Sequence, residues 1–265
     1  MHLDSAAWEL PGELEDLRRL VADFVGREVR SAEGHLGFDD AVLREDVLAG
    51  LQAKARQASL WMVASPMEYG GAGLSMLAQV VVAEEASQCR LGVYLPAAGA
   101  FGMDPPSVVY AGSARQIQRY AERSIASGEK SFIAISEPTG GSDPARSIQT
   151  RALRDRDCWI LNGTKAWVTG ALESSWGVVF ARTGEAGDRG GISCFLVDSG
   201  LPGISMRPIA VIRAWSPAEV VFDNCRIPLD SLVGDEGAGF ALADKWLVKA
   251  RLPYAASAVG VAVAA

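Results

Sequence analysis

Histidine is almost absent: His2 and His35 are the only two in 265 residues. The four cysteines, Cys89, Cys158, Cys194 and Cys225, lie far apart, with no C-x-x-C spacing and no histidine companions. A zinc centre needs about four such ligands brought together by recognisable spacing, so no metal site is expected. The thiols read instead as reduced cysteines of a cytoplasmic protein. No block of Lys or Arg interrupts a chain of net charge −7. That excludes nucleic acid and anionic membrane as expected partners. The N-terminal run MHLDSAAWELPGE has acidic residues and no apolar core, so no secretory signal is expected. No run of about 18 apolar residues reads as a membrane span. Internal repeats and low-complexity segments are also missing.

What is present is a chain 49% hydrophobic and 22% charged. Its length suits one large domain or two ordinary ones, and its apolar content suits a sizeable buried core. The first half is patterned for helices. Leu14, Leu17, Val21, Phe24 and Val25 recur at helical spacing after Pro11-Gly12, with Glu13, Glu15 and Asp16 in the first turn, where the helix dipole favours them. A second helix is expected over Ala41–Ala58 and a third over Ser75–Cys89, separated by the Pro- and Gly-rich text from Trp61 to Leu74. The Glu84-Glu85 pair on the third reads as a solvated face. A further helix is expected over Ser107–Ala126.

From Ser131 the period changes to two. Expected strands are Ser131–Ser136, Ile148–Leu153, Cys158–Leu161, Thr164–Thr169, Gly177–Arg182, Ile192–Val197, Ile204–Ile209 and Ala218–Phe222. Short strands between Gly, Pro, Asp and Asn clusters argue for an antiparallel sandwich or barrel. The first strand puts Ile133 and Ile135 on one face and Phe132, Ala134 and Ser136 on the other. Pro138 should end its ladder, and Gly140-Gly141 would let backbone N–H groups approach a ligand closely. Asn162-Gly163, between two β-prone runs, predicts a hairpin turn that presents Trp167 and Thr169 from one face. A last helix begins near Gly239.

The runs S-E-P-T-G-G-S-D (136–143) and N-G-T-K-A-W-V-T (162–169) stand in the order and spacing of the two middle-domain motifs of the acyl-CoA dehydrogenases, and the chain resembles that family. S-P-M-E-Y-G-G-A-G (65–73), Gln116 to Tyr120 with Gly128-Glu129, and the segment from Asp223 to Phe240 resemble further family phrases. The resemblance covers essentially the whole chain. It implies an all-α N-terminal domain (1–130), an antiparallel β-barrel or sandwich middle domain that binds flavin (131–237), and the first helix of a C-terminal helical bundle otherwise absent (238–265).

The family reading implies FAD, held by Ile133, Ala134, Ile135, Ser136, Ser142, Trp167, Val168 and Thr169. Ser142 would also address the substrate, as would Arg251. Each residue has a plainer alternative. Trp167 could be core, Ser136 an ordinary strand hydroxyl, Ser142 a turn or cap with Asp143, and Arg251 a solvated helix residue. Glu137, followed directly by Pro138, reads as structural. The implied reaction is α,β-dehydrogenation of an acyl-CoA or acyl-carrier thioester, with electrons passed to an electron-transfer flavoprotein. The family's usual basic carboxylate lies beyond this chain, and its minority position, just before the arginine, is Ala250. No catalytic residue is therefore assigned, and a partner chain in a homo- or hetero-oligomer is expected to supply the base. A non-catalytic flavin- or carrier-binding subunit, a truncated remnant, and a flavin monooxygenase or oxidase of the same fold are the alternatives. Val248 replaces an acidic residue, Val211-Ile212-Arg213 replaces a Gly-x-Arg phrase, and Trp215 replaces a small polar residue, which leaves the acyl carrier open.

Overall fold

The computed structural model describes residues 9–92, 95–185, 190–212 and 216–265. Packing divides the chain into two compact units: residues through Pro66 with Gly71–Gly102 and Lys249–Ala265, and Met67–Gly70 with Met103–Val248.

In the first unit, α1 (Gly12–Phe24) runs through a π-helical turn (Val25–Val29) into α2 (Arg30–Glu33), and α3 (Glu45–Gln57) and α4 (Met76–Ala86) follow. The apolar stripe of α1 buries Leu14, Val21 and Phe24. The Ser75 hydroxyl accepts from the Ala78 N–H at 3.3 Å and caps α4, because the first turn of a helix leaves its N–H groups without intrahelical partners. Val21, Phe24, Leu51, Leu60, Val82 and Phe101 share one core. Glu85 departs from the expected solvated face. It is partly buried near Arg18, and burial raises its carboxyl pKa.

The helix expected over Ser107–Ala126 is broken. A 3-10 turn (Ser107–Ala111) stops at Gly112, and a new helix starts at a capping box, with Ser113 and Gln116 exchanging hydrogen bonds. It runs as α5 (Ala114–Gln116), a π-helical turn (Ile117–Glu122) and α6 (Arg123–Ser127). The box satisfies orphan N–H groups at a fresh N-terminus, and so restarts the helix rather than extending the old one. These segments pack with the sheet.

The sheet comprises β1 (Ser131–Ala134), β2 (Arg151–Asp155), β3 (Cys158–Val168), β4 (Trp176–Arg182), β5 (Ile192–Asp198), β6 (Ile204–Pro208), β7 (Ala218–Pro228) and β8 (Leu232–Val233), with α7 (Pro144–Ser147) between β1 and β2. Strand order is β6-β7-β3-β2-β4-β5-β8, and β1 joins at β4. The expectation of a purely antiparallel sheet fails at β4, which runs parallel to both β1 and β2. Strand alternation then sorts side chains into two layers. Phe132, Ala134, Val179, Phe195, Val220 and Phe222 fill one core. Trp176, Val178, Phe180 and Leu196, with Ile117 and Tyr120 from the helices, fill the other. Trp159 of β3 meets Phe195 of β5 edge-on at 5.3 Å, although those strands are not neighbours, so the sheet curls round its inner core as a barrel or sandwich would. Both faces of β4 are covered, and all seven of its residues are buried.

α8 (Gly239–Ala264) closes the chain. A Cβ at Gly260 would collide with the Glu84 backbone carbonyl, so α8 and α4 approach backbone to backbone there. Val248, Leu252, Val259 and Val263 recur along the helix and stay exposed. By length and composition alone α8 is long and apolar enough to cross a membrane, which the lack of an unbroken apolar run did not anticipate.

Candidate functional site

The Asn162-Gly163 pair does not form the expected hairpin turn. β3 runs straight through it for 11 residues and pairs with β7 on both sides, shifting register between Leu161 and Gly163 and again between Lys165 and Val168. β7 takes the extra residue at the first shift, with Asn224 at φ 48°, and the Asn162 side chain accepts from the Asn224 N–H at 2.8 Å. Gly163 has φ 145°, and a Cβ there would lie 2.6 Å from the Thr150 Cα. The glycine serves a close backbone approach, not a turn. The actual tight hairpin joins β2 to β3 through Arg156-Asp157, with Arg156 at φ 50°.

The second shift falls on Ala166 and Trp167, where Trp167 takes a left-handed backbone at φ 63°. Regular alternation would put Trp167 on the side of Lys165, which is fully buried. The bulge breaks that alternation, and the Trp167 side chain stands 59% exposed between buried Ala166 and Val168. Thr169 is exposed two residues on. The core alternative for Trp167 is thus excluded. A left-handed tryptophan stores strain of about 1–2 kcal/mol, held in place by the surrounding ladder.

The first motif is bound to the second. The Ala166 N–H donates to the Ser136 carbonyl at 3.0 Å. The Lys165 ammonium donates to the Ile135 carbonyl at 3.0 Å and to Glu137 Oε1 at 2.8 Å. Glu137 also accepts from the Gln149 N–H at 2.7 Å and the Thr150 N–H at 2.9 Å. Both its oxygens are engaged inside the protein, which makes it structural. Burial alone would raise its pKa, but Lys165 and the donors around Gln149 and Thr150 outweigh burial and hold it below the ordinary carboxylate value. Burial lowers the Lys165 pKa, against the opposing pull of Glu137.

Past Glu137 the chain reverses tightly, with Glu137 and Gly140 exchanging backbone hydrogen bonds around Pro138-Thr139. Gly140 packs against Ser147, where a Cβ would collide, whereas Gly141 faces open space. Ser142 is exposed beside it. Arg182, 1% exposed, holds the return of this loop by donating to the carbonyls of Ala145 at 3.1 Å and Ile148 at 2.9 Å. Sequence reading gave no role to Lys165 or Arg182. A charged residue inside each apolar strand pattern was the available signal.

Ser136 is half-buried. The side chains of Ala134 and Val168 belong to the inner core, so these two can address a ligand only through their backbone, whereas Ile133 and Ile135 pack, partly buried, on the outer one. Arg251 is exposed on the part of α8 that belongs to the helical unit. Arg213 and Trp215 lie outside the described residues. Among the described residues, no three His, Cys, Asp or Glu side chains gather as a metal site requires. The exposed Trp167 indole, the Ser136 and Thr169 hydroxyls and the open Gly141 backbone are groups of the kind that a flat, hydrogen-bonding heteroaromatic such as a flavin takes.

Family models for the acyl-CoA dehydrogenase N-terminal domain and middle domain match residues 11–129 and 132–225. The chain belongs to the acyl-CoA dehydrogenase family. It is 34% identical over 271 residues to the mitochondrial short-chain specific acyl-CoA dehydrogenase of Mus musculus, an alignment covering 100% of this chain and 63% of that protein. The chain therefore spans under two thirds of that relative's length. A probable acyl-CoA dehydrogenase from Mycobacterium abscessus is 28% identical with a TM-score of 0.81, covering 96% of this chain and 67% of the other. A glutaryl-CoA dehydrogenase from Mycobacterium smegmatis, solved with FADH2, is 25% identical with a TM-score of 0.74, covering 95% and 62%.

Proposed function

We propose that this chain binds FAD and forms the flavin-bearing part of an enzyme that dehydrogenates an acyl thioester between its α and β carbons. The observation that carries the reading is the Trp167 ring, turned outward by a strained bulge next to Ala166, whose N–H is bonded to the Ser136 carbonyl. Membership of the family and the solved FADH2 complex of a relative support it. When bound, FAD supplies the hydride acceptor for the β-hydrogen. Trp167 provides a flat face against the ring system, and Thr169 and Ser136 offer hydroxyls to its polar edge. The backbone of Ile133–Ser136 and Val168 completes the cradle. Gly141 and Ser142 leave an open, hydrogen-bonding lip for the phosphate or pantetheine side of the ligands, and a substrate role for Arg251 rests on the family resemblance alone.

The α-proton needs a base. Glu137 cannot serve, because its carboxylate is occupied by Lys165 and two backbone donors. Position 250 is alanine. We assign the base to residues outside 1–265, on a partner chain of a homo- or hetero-oligomer or on a further segment of the same polypeptide. The partition into helical (1–130), flavin-binding (131–237) and C-terminal helical (238–265) domains follows the same reading. So do a cytoplasmic location and an electron-transfer flavoprotein as electron acceptor.

The test is the visible spectrum of the chain after addition of FAD and desalting, before and after an acyl-CoA mixture. Retained flavin bands that do not bleach are expected of a binding-competent part that awaits its base. Loss of all flavin on desalting would sink the reading for this chain. Bleaching would place a base within residues 1–265.

A further inference from the structure

The buried ammonium of Lys165 has no place in the chemistry proposed above, yet it lies where the two motif strands meet. Its Nζ spans the Ile135 carbonyl at 3.0 Å and Glu137 Oε1 at 2.8 Å, while the next residue, Ala166, donates its N–H to the Ser136 carbonyl at 3.0 Å. Lys165 pairs with Val220, the last regular pairing before the second register shift, which resumes at Val168 and Ala218. The strained residue Trp167 sits inside that gap. Chain-neighbour sterics alone would relax a left-handed tryptophan back into extended strand, and the flip would carry its ring to the opposite face.

We propose that Lys165 is a positioning residue for the flavin platform. Its ammonium clamps the end of β1 to β3, so that the bulge, the outward Trp167 ring and the Thr169 hydroxyl keep one setting against Ile135 and Ser136. The proposal rests on the flavin reading for its functional meaning, but the clamp itself concerns residues of this chain alone. Glu137 anchors the other side of the ammonium by accepting from Gln149 and Thr150, which fixes the clamp to the start of β2. The residues flanking Trp167, Ala166 and Val168, are both buried.

The test uses the full chain labelled with 5-fluorotryptophan, in which seven tryptophans give fluorine resonances and the signal lost in Trp167→Phe identifies Trp167. The variant is Glu137→Gln with Lys165→Met, which removes both charges together and leaves no uncompensated ion in the core. The Trp167 resonance is expected to shift and broaden while those of core Trp159 and Trp176 stay in place. FAD affinity, read by quenching of flavin fluorescence, is expected to fall at least tenfold. An unmoved Trp167 resonance in the folded double variant, or FAD affinity equal to wild type, would overturn the proposal. Collapse of all the resonances together would also overturn it, by making the pair a general stability element. Failure of the wild-type chain to bind FAD would instead sink the flavin reading, and the fluorine spectra would still decide whether Lys165 sets Trp167.

Discussion

Lys165 and Trp167 are two residues apart on one strand and face opposite sides of it. The lysine side chain is fully buried against Glu137, and the tryptophan is 59% exposed. A strand of period two cannot do this, and the left-handed bulge at Trp167 is the reason it happens.

Removing the indole and the strain together separates stability from binding. Trp167→Gly frees a left-handed position from its Cβ penalty and gives up little buried surface. Its stability in urea is expected to stay within about 1 kcal/mol of wild type, while flavin retention after desalting is lost. A variant that unfolds would show that the ring carries packing energy its exposure conceals.

Breaking the buried pair from one side should be far more damaging. Lys165→Met leaves Glu137 ionised with only backbone donors, and is expected to cost about 3–5 kcal/mol by chemical denaturation. The double change with Glu137→Gln should recover a large part of that loss. If the single and double variants prove equally stable, the ion pair is not coupled.

Acid should act on the same pair. Glu137 holds its pKa below the ordinary value in the fold, so the unfolded chain binds the proton first. Its contribution is complete above the ordinary glutamate pKa of about 4.3 and is lost as pH falls through the lower folded value. Thermal melts of wild type are expected to decline over that window, and the decline should be shallower in the double variant, which lacks the carboxylate. Parallel profiles would remove Glu137 from the acid response.

Gly163→Ala tests the reinterpretation of the Asn-Gly pair. The alanine would need φ 145° and would press its Cβ on the Thr150 backbone. A loss of about 2–3 kcal/mol is expected, since neither backbone can withdraw without breaking the β3 ladder. A hairpin-tip glycine open to solvent would have no such collision, so a neutral result would contradict the bulge.

The exposed stripe Val248, Leu252, Val259 and Val263 on α8 predicts association. Sedimentation is expected to show the chain self-associated or poorly soluble, and Leu252→Glu with Val259→Glu should shift it towards monomer. A clean wild-type monomer would mean that this face tolerates water.

Local chemistry was readable without the fold. The alternation of Phe132 and Ala134 against Ile133 and Ile135, the α1 stripe and the Glu-Pro break after β1 follow from side-chain period and proline sterics, which act over a few residues. The motif text placed the family for the same reason, since it records local backbone needs in residue types. Tertiary structure decided the rest. Asn162-Gly163 became a bulge because β7 pairs with β3 on both sides of it, through Leu161 with Cys225 and Gly163 with Phe222, and continued pairing outweighs a local turn preference. Lys165 found Glu137, and Arg182 found the Ala145 and Ile148 carbonyls, because a charge inside an apolar strand must be satisfied by whatever the fold brings to it. The outward turn of Trp167 is likewise a product of register, a relation between strands that neither strand states alone.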